Sequence, residues 1–379
     1  MLVYLCGVFK GPLTGQKQTL FVIKDILDSK FDLVPLDAPS LSIYFPYTWL
    51  VYLIKTLSIS FFNKRPHVFY LIINRSRISF WIRDLPIYIV ASVTNSKLIC
   101  HLVGSDIELF IKKSNFIEKF LLKKYLSRVN AWVVLGNGMK MQVENVYKNL
   151  GIQAKASCYR GEKLNAFELK GFYPLESDNF FDESKINLKI QNFGNDIRIG
   201  FMSNLMEEKG IVEFIESMIF LKETLGHDIN VWIAGAYIGK QSDRLNNAMH
   251  IAKSKDYIKI LGLAKAEQKW KSLLQTDIFI LPSYYKTEAL PLSLVEAMRF
   301  GCLCISSSIG EINDLLENER GIIIKKVSTN SITQSVEGIL ADTSQSKIMI
   351  KNSLSYAQEE FSYEEYKIRL LNLMELLAK

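Results

Sequence analysis

Between Thr276 and Leu316 the chain reads TDIFILPSYYKTEALPLSLVEAMRFGCLCISSSIGEINDLL, and few folds accommodate that succession. A wholly apolar run, Ile278 to Leu281, stops at Pro282-Ser283. A polar loop comes next, from Tyr284 to Glu288. From Pro291 the apolar spacing becomes helical through Leu294, Ala297 and Met298, and Gly301 closes it. A second apolar run, Cys302 to Ile305, predicts the next strand, and Gly310 opens a turn into another helix. Strand, loop, helix and strand in this order are the repeating unit of a parallel sheet. The loop contributes Glu288 and the helix Glu296. Two carboxylates so placed can line one pocket at the carboxyl end of a strand, where open α/β sheets bind ligands.

The same alternation runs through the rest of the chain. In the first half, strands are predicted at Val3 to Val8, His67 to Ile73, Leu98 to Leu102 and Ala131 to Leu135. In the second half they are predicted at Ile197 to Met202, Asn230 to Ala234 and Tyr257 to Leu261, with helices over about 211–224 and 265–275. The alternation lapses between residues 160 and 194 and then restarts, which divides the chain in two. From Tyr356 onward the spacing of Phe361, Tyr366, Leu370, Leu371 and Met374 predicts a terminal helix. With 379 residues and 49% hydrophobic content, two large buried cores are affordable.

Charge is uneven. Residues 1–130 hold 17 Lys/Arg against 8 Asp/Glu, more than the whole excess of +7. A basic first third suggests an acidic partner: a phosphate-bearing substrate, an anionic membrane surface or nucleic acid. Nucleic acid is the weakest of these, because no recognition module accompanies the charge. Five scattered cysteines, Cys6, Cys100, Cys158, Cys302 and Cys304, lie mostly in apolar surroundings and read as reduced, buried thiols of a cytosolic protein. MLVYLCGVF lacks a charged leader segment and reads as a first buried strand. The most apolar later run, Tyr47 to Phe62, is broken by Lys55 and falls short of a membrane span.

Three further segments could carry chemistry. GPLTGQ, with Gly11, Pro12 and Gly15, makes a small-residue loop ahead of a helix, where exposed N–H groups suit phosphate or simply make a turn. His101 ends a strand at HLVGSD beside a Gly-Ser-Asp loop and could meet substrate there; alone, it fits a satisfied structural role better. From Lys112 to Arg128, six cations stand against Glu118, with Phe116, Phe120 and Leu121 at helical spacing. Such a helix either packs on a core with a solvated lysine face or rests on anionic lipid headgroups.

Taken together, the pattern resembles the retaining family-4 glycosyltransferases, also called glycosyl transferases group 1. EALPLSLVE with Glu288 and Glu296 is similar to their E-x7-E signature, and SNLMEEKG to their donor-domain segment. GPLTGQ and HLVGSD resemble their glycine loop and active-site histidine loop. The resemblance implies an α/β chain of GT-B architecture. Two Rossmann-like doubly wound domains would face each other across a cleft, with the C-terminal helix crossing back to the first. The expected division is 1–190 for acceptor binding, 191–355 for the nucleotide sugar and 356–379 for the returning helix. By the same resemblance, Glu296 would accept from the ribose hydroxyls and Glu288 would face the donor sugar and its phosphates. Lys209 would neutralise the diphosphate and His101 would contact the transferred sugar. Gly15, Asn204, Ala289 and Leu290 would complete the donor contacts.

The resemblance thus leads to the expectation of a retaining glycosyltransferase. It would move a sugar from a UDP- or GDP-linked donor onto a glycan or lipid-linked oligosaccharide, in bacterial surface polysaccharide assembly. It would be cytoplasmic, with peripheral contact at an anionic membrane face. No metal is expected, since the chain has no Asp-x-Asp. Two positions depart from the family's pattern: Asn204 where an arginine is usual, and Ala289 where a glycine is usual. The first lends some weight to an alternative, a non-catalytic sugar-nucleotide-binding partner of another transferase.

Overall fold

Strands that are buried on both faces must be apolar throughout, and those expected from the sequence have this character. The computed structural model describes residues 1–9, 15–38, 45–62, 67–73, 77–104, 106–153, 166–171, 175–239 and 241–378. The chain divides into two compact units, Met1–Lys170 with Tyr366–Lys379, and Gly171–Glu365.

In the first unit the strands are β1 (Leu2–Gly7), β2 (Asp32–Asp37), β3 (Val68–Ile72), β4 (Lys97–His101), β5 (Ala131–Val134) and β6 (Ala166–Glu168). They form one parallel sheet in the order β2-β1-β3-β4-β5-β6. β2 contains Pro35, which an edge strand tolerates because one of its sides makes no ladder. The terminal helix, Tyr363–Ala378, contributes its residues from Tyr366 onward to this unit. Lys97 donates to the carbonyl of Leu377 at 2.5 Å, and Tyr366 and Met374 are buried.

The second unit contains β7 (Ile197–Met202), β8 (Ile229–Ala234), β9 (Ile258–Gly262), β10 (Ile278–Leu281), β11 (Leu303–Ser307) and β12 (Ile322–Ile324). Their order is β12-β11-β10-β7-β8-β9, again parallel throughout. Ile278 pairs with Ile199 on one side and Leu303 on the other, so β10 lies at the centre of the sheet. Helix Glu183–Gln191 belongs here, because Ile186 and Ile190 enter this unit's core. Successive strands run outward in opposite directions from β7 and β10. The sheet therefore reverses its winding between them, and at such a point open α/β sheets bind ligands beyond the carboxyl ends of the strands. This reversal positions the site.

Candidate active site

The loop after β7 and the loop after β10 meet at that reversal, and glycine geometry lets them meet closely. The turn Glu207–Lys209 ends at Gly210, whose φ is +73°. A β-carbon there would lie 2.2 Å from the Pro282 carbonyl oxygen, so no side chain fits. Tyr284 donates its backbone N–H to the Glu208 carbonyl at 2.7 Å, lacing the two loops together. On the far side, Gly310 has φ +57° and lies against the carbonyls of Glu288 and Ala289. The N–H of Glu311 donates to Ala289 at 2.8 Å.

This scaffold brings Lys209 and Glu288 together. The ammonium is 2.5 Å from Oε2, with only 11% and 9% of the two side chains exposed. Ser283 donates its hydroxyl to the same oxygen at 2.8 Å. The Lys209 ammonium also lies 5.0 Å from the centroid of the Tyr285 ring. Ions this deeply removed from water persist only when paired and hydrogen-bonded, and both conditions hold here. Ala289 and Leu290 follow directly and are half-buried. Their backbone N–H groups have no protein partner among the described residues. The site thus combines a buried cation with backbone donors available to an anion.

Helix Leu292–Arg299 carries Glu296, which is buried. Burial raises its carboxyl above the ordinary range, and the Lys269 ammonium, 3.0 Å away, opposes that rise. Lys269 comes from helix Ala266–Leu274 and sits 3.7 Å from the centroid of Trp270. Trp270 is itself buried and stacked on Phe300. Each glutamate of the pair is therefore held by its own lysine. Asn204, two residues past the end of β7, is exposed.

His101 and Gly15 belong to the first unit. His101 ends β4 and is fully buried. Its Nδ1 pairs with the Tyr70 hydroxyl at 3.0 Å, whereas its Nε2 has no hydrogen-bond partner among the described residues. Burial lowers its pKa to about 3, so the imidazole is neutral at ordinary pH. Gly15 opens helix Gly15–Asp28 after β1, and the rest of its loop lies outside the described residues. Lys209, Glu288, Ala289, Leu290 and Glu296 thus gather around β10, and His101 and Gly15 follow strands of the other sheet.

Sequence reasoning did not find Ser283, Lys269 or Tyr70. Ser283 had a local signal, a hydroxyl at the carboxyl end of a strand just ahead of a glutamate. Lys269 lies 27 positions from Glu296 and Tyr70 lies 31 from His101, distances that no local pattern bridges. Cys6, Cys100, Cys302 and Cys304 are free and buried, and Cys158 lies outside the described residues.

Residues 182–355 match the family described as Glycosyl transferases group 1. An uncharacterized glycosyltransferase of Methanocaldococcus jannaschii is 24% identical over 270 residues, 68% of this chain and 62% of that protein. The amylovoran biosynthesis glycosyltransferase AmsK of Erwinia amylovora is 30% identical over 142 residues, 36% of this chain and 34% of its own length. In each case the match spans less than two-thirds of the relative. Among solved structures, Anabaena HepE in complex with UDP superposes with a TM-score of 0.68 at 14% identity, covering 99% of both chains. At that identity the shared property is the fold, which is GT-B.

Proposed function

We propose that this chain of GT-B fold, whose residues 182–355 form a group 1 glycosyl transferase domain, is a nucleotide-sugar-dependent, retaining glycosyltransferase. The observation that carries the reading is the buried Lys209–Glu288 pair at the winding reversal of the second sheet. A diphosphate arriving there would share the Lys209 ammonium and take the Ala289 and Leu290 N–H groups. Glu288 would then be freed to face the donor sugar. Glu296 would accept from the ribose hydroxyls, with Lys269 holding its charged form in place.

The chemistry suits this assignment. Breaking the anomeric C–O bond leaves positive charge on the sugar and negative charge on the departing phosphate. A fixed cation and oriented N–H groups in a water-poor site stabilise that separation, commonly the largest catalytic contribution. With Lys209 in this place, the reading needs no metal. Retention is implied by the family resemblance: the acceptor hydroxyl attacks from the face the phosphate leaves, and that phosphate takes its proton. No protein nucleophile is assigned. His101, whose buried Nε2 has no hydrogen-bond partner among the described residues, would contact the transferred sugar, and Gly15 would bring backbone close to phosphate.

UDP is the first nucleotide to try, because HepE was crystallised with it. AmsK is named as an amylovoran biosynthesis glycosyltransferase, which supports a role in polysaccharide biosynthesis; the acceptor would be a glycan or lipid-linked oligosaccharide, met on the cytoplasmic side. Incubation with a panel of UDP-, GDP- and dTDP-sugars should reveal slow donor hydrolysis with one of them. The exposed Asn204, where the family commonly has a second cation, favours one other reading, a non-catalytic sugar-nucleotide-binding partner. Tight nucleotide binding without turnover, even with a lipid-linked acceptor extract, would decide for that reading.

A further inference from the structure

Helix Phe45–Phe62 is inside out. Its solvent-facing stripe is apolar, with Tyr47 70%, Leu50 49%, Val51 45% and Ile54 58% exposed. Its protein-facing side carries polar contacts instead. The buried Tyr52 donates its hydroxyl to the Arg83 carbonyl at 3.2 Å, and the buried Thr56 donates to the Tyr52 carbonyl at 2.8 Å. Each side chain on that stripe would gain by leaving water, and among the described residues no protein element covers it.

Helix Phe116–Leu126 repeats the arrangement. Leu122, Tyr125 and Leu126 face inward, while Phe116, Ile117 and Phe120 are 84%, 62% and 51% exposed. Lys119, Lys123 and Lys124 share the outer face, and the Lys124 ammonium lies 4.6 Å from the centroid of the Phe120 ring. The helix's one acid, Glu118, is turned inward and buried, bound by Arg77 and by the Trp81 indole, the latter at 3.0 Å.

Segment Arg77–Asp84 joins the two helices. Trp81, 40% exposed, reaches Glu118 on one side. On the other side, the Ile82 and Arg83 carbonyls accept from Trp49 and Tyr52 of helix Phe45–Phe62. Three adjacent elements therefore present aliphatic side chains, aromatic side chains and lysines together. Lys55, on helix Phe45–Phe62, is exposed as well.

We infer that this face of the first unit docks on an anionic lipid surface. It goes beyond the transfer reaction, which the second unit's site would carry whether or not the face binds lipid. Charge chooses the occupant. Two copies of the chain meeting through this face would set lysine against lysine, because a two-fold interface brings each patch onto itself. A bilayer of acidic lipids offers what the face lacks: negative headgroups for the lysines and an apolar layer for the leucine, isoleucine and phenylalanine side chains. Tyr47 and Trp81 have the amphipathic rings that favour the boundary between the two. No described helix is long and apolar enough to cross a membrane, so docking would be peripheral.

The test is co-sedimentation of the full chain with vesicles of phosphatidylcholine alone or with about one-third phosphatidylglycerol. Binding is expected on the acidic vesicles only, and it should weaken as salt shortens the screening length. Replacing Lys119, Lys123 and Lys124 with Gln should lower the partition coefficient roughly a hundredfold. Leu50→Ser with Ile54→Ser should lower it at least about tenfold, because both side chains would leave the acyl boundary. These positions are exposed, so an unchanged circular dichroism melt will accompany a true loss of docking. The inference is overturned if the native chain stays in solution with acidic vesicles, or if either variant binds as the native chain does. Self-association in sedimentation velocity, abolished by Ile54→Ser without any vesicle binding, would assign the face to a second copy instead.

Discussion

Replacing Lys209 with Met tests whether the buried pair is both scaffold and anion site. The Glu288 carboxylate, 9% exposed, would keep the Ser283 hydroxyl but lose its counter-charge. Removing one partner of a buried ion pair costs about 3–5 kcal/mol, because the remaining charge stays away from water without compensation. For a unit of this size, each kcal/mol moves the melting temperature by about 2–4 °C, so a fall of about 10 °C is expected by calorimetry. The double variant Lys209→Met with Glu288→Gln should regain much of that loss, since a glutamine can still accept from Ser283 and carries no charge. Nucleotide binding should not return with stability. Charge-assisted hydrogen bonds contribute about 1.5–3 kcal/mol, so UDP should bind both variants about 10- to 150-fold more weakly in isothermal titration. A single variant within about 1 kcal/mol of the native chain, or a double variant that melts no higher than the single, would refute this coupling.

Other perturbations probe neighbouring groups. Lys269→Met should raise the Glu296 carboxyl further, because burial would act without the opposing ammonium. Titrations across pH should then show UDP affinity declining at a higher pH than in the native chain, and identical profiles would remove Lys269 from the site. An unfolded histidine protonates near pH 6.5, whereas burial keeps native His101 neutral down to about 3. Unfolding therefore takes up a proton in that window. The stability this provides is full above pH 6.5 and is lost as pH falls toward 3, by at most about 5 kcal/mol. His101→Phe should flatten that part of the stability profile in urea titrations, and an unchanged slope would count against the buried neutral imidazole. Gly210→Ala should destabilise by at least about 2 kcal/mol, from left-handed backbone strain and collision with the Pro282 carbonyl. Gly226→Ala is the control: its φ is similar, +74°, but no atom of the described residues lies within 4 Å, so about 1 kcal/mol is expected.

The parallel strands and the two glutamates were legible because both depend on local pattern. Ile278 to Leu281 is apolar at every position since β10 is covered on both faces, and a loop acid followed by a helical acid can be read from spacing alone. β2 was harder to read, because Pro35 and its flanking aspartates look unlike a strand; only its edge position makes them acceptable. In helix Phe116–Leu126, periodicity found an apolar stripe but could not say whether protein covers it. The structure turns Phe116 and Phe120 outward and seats Leu122, Tyr125 and Leu126 instead, because the capping box from Asn115 to Glu118 and the Arg77 and Trp81 contacts draw the other face inward. Lys269 and Tyr70 were invisible for a different reason. Their partners lie far along the chain, and only the sheet order brings them together.

The most direct test of the proposed transfer reaction tracks the anomeric centre itself. Once the panel has identified a donor, proton NMR of the first-formed product will show the configuration at the transferred carbon. The expected result is the donor's own configuration, with loss of turnover in Glu288→Gln while that variant remains folded. An inverted product, or a Glu288→Gln variant that turns over at the native rate, would contradict the proposal.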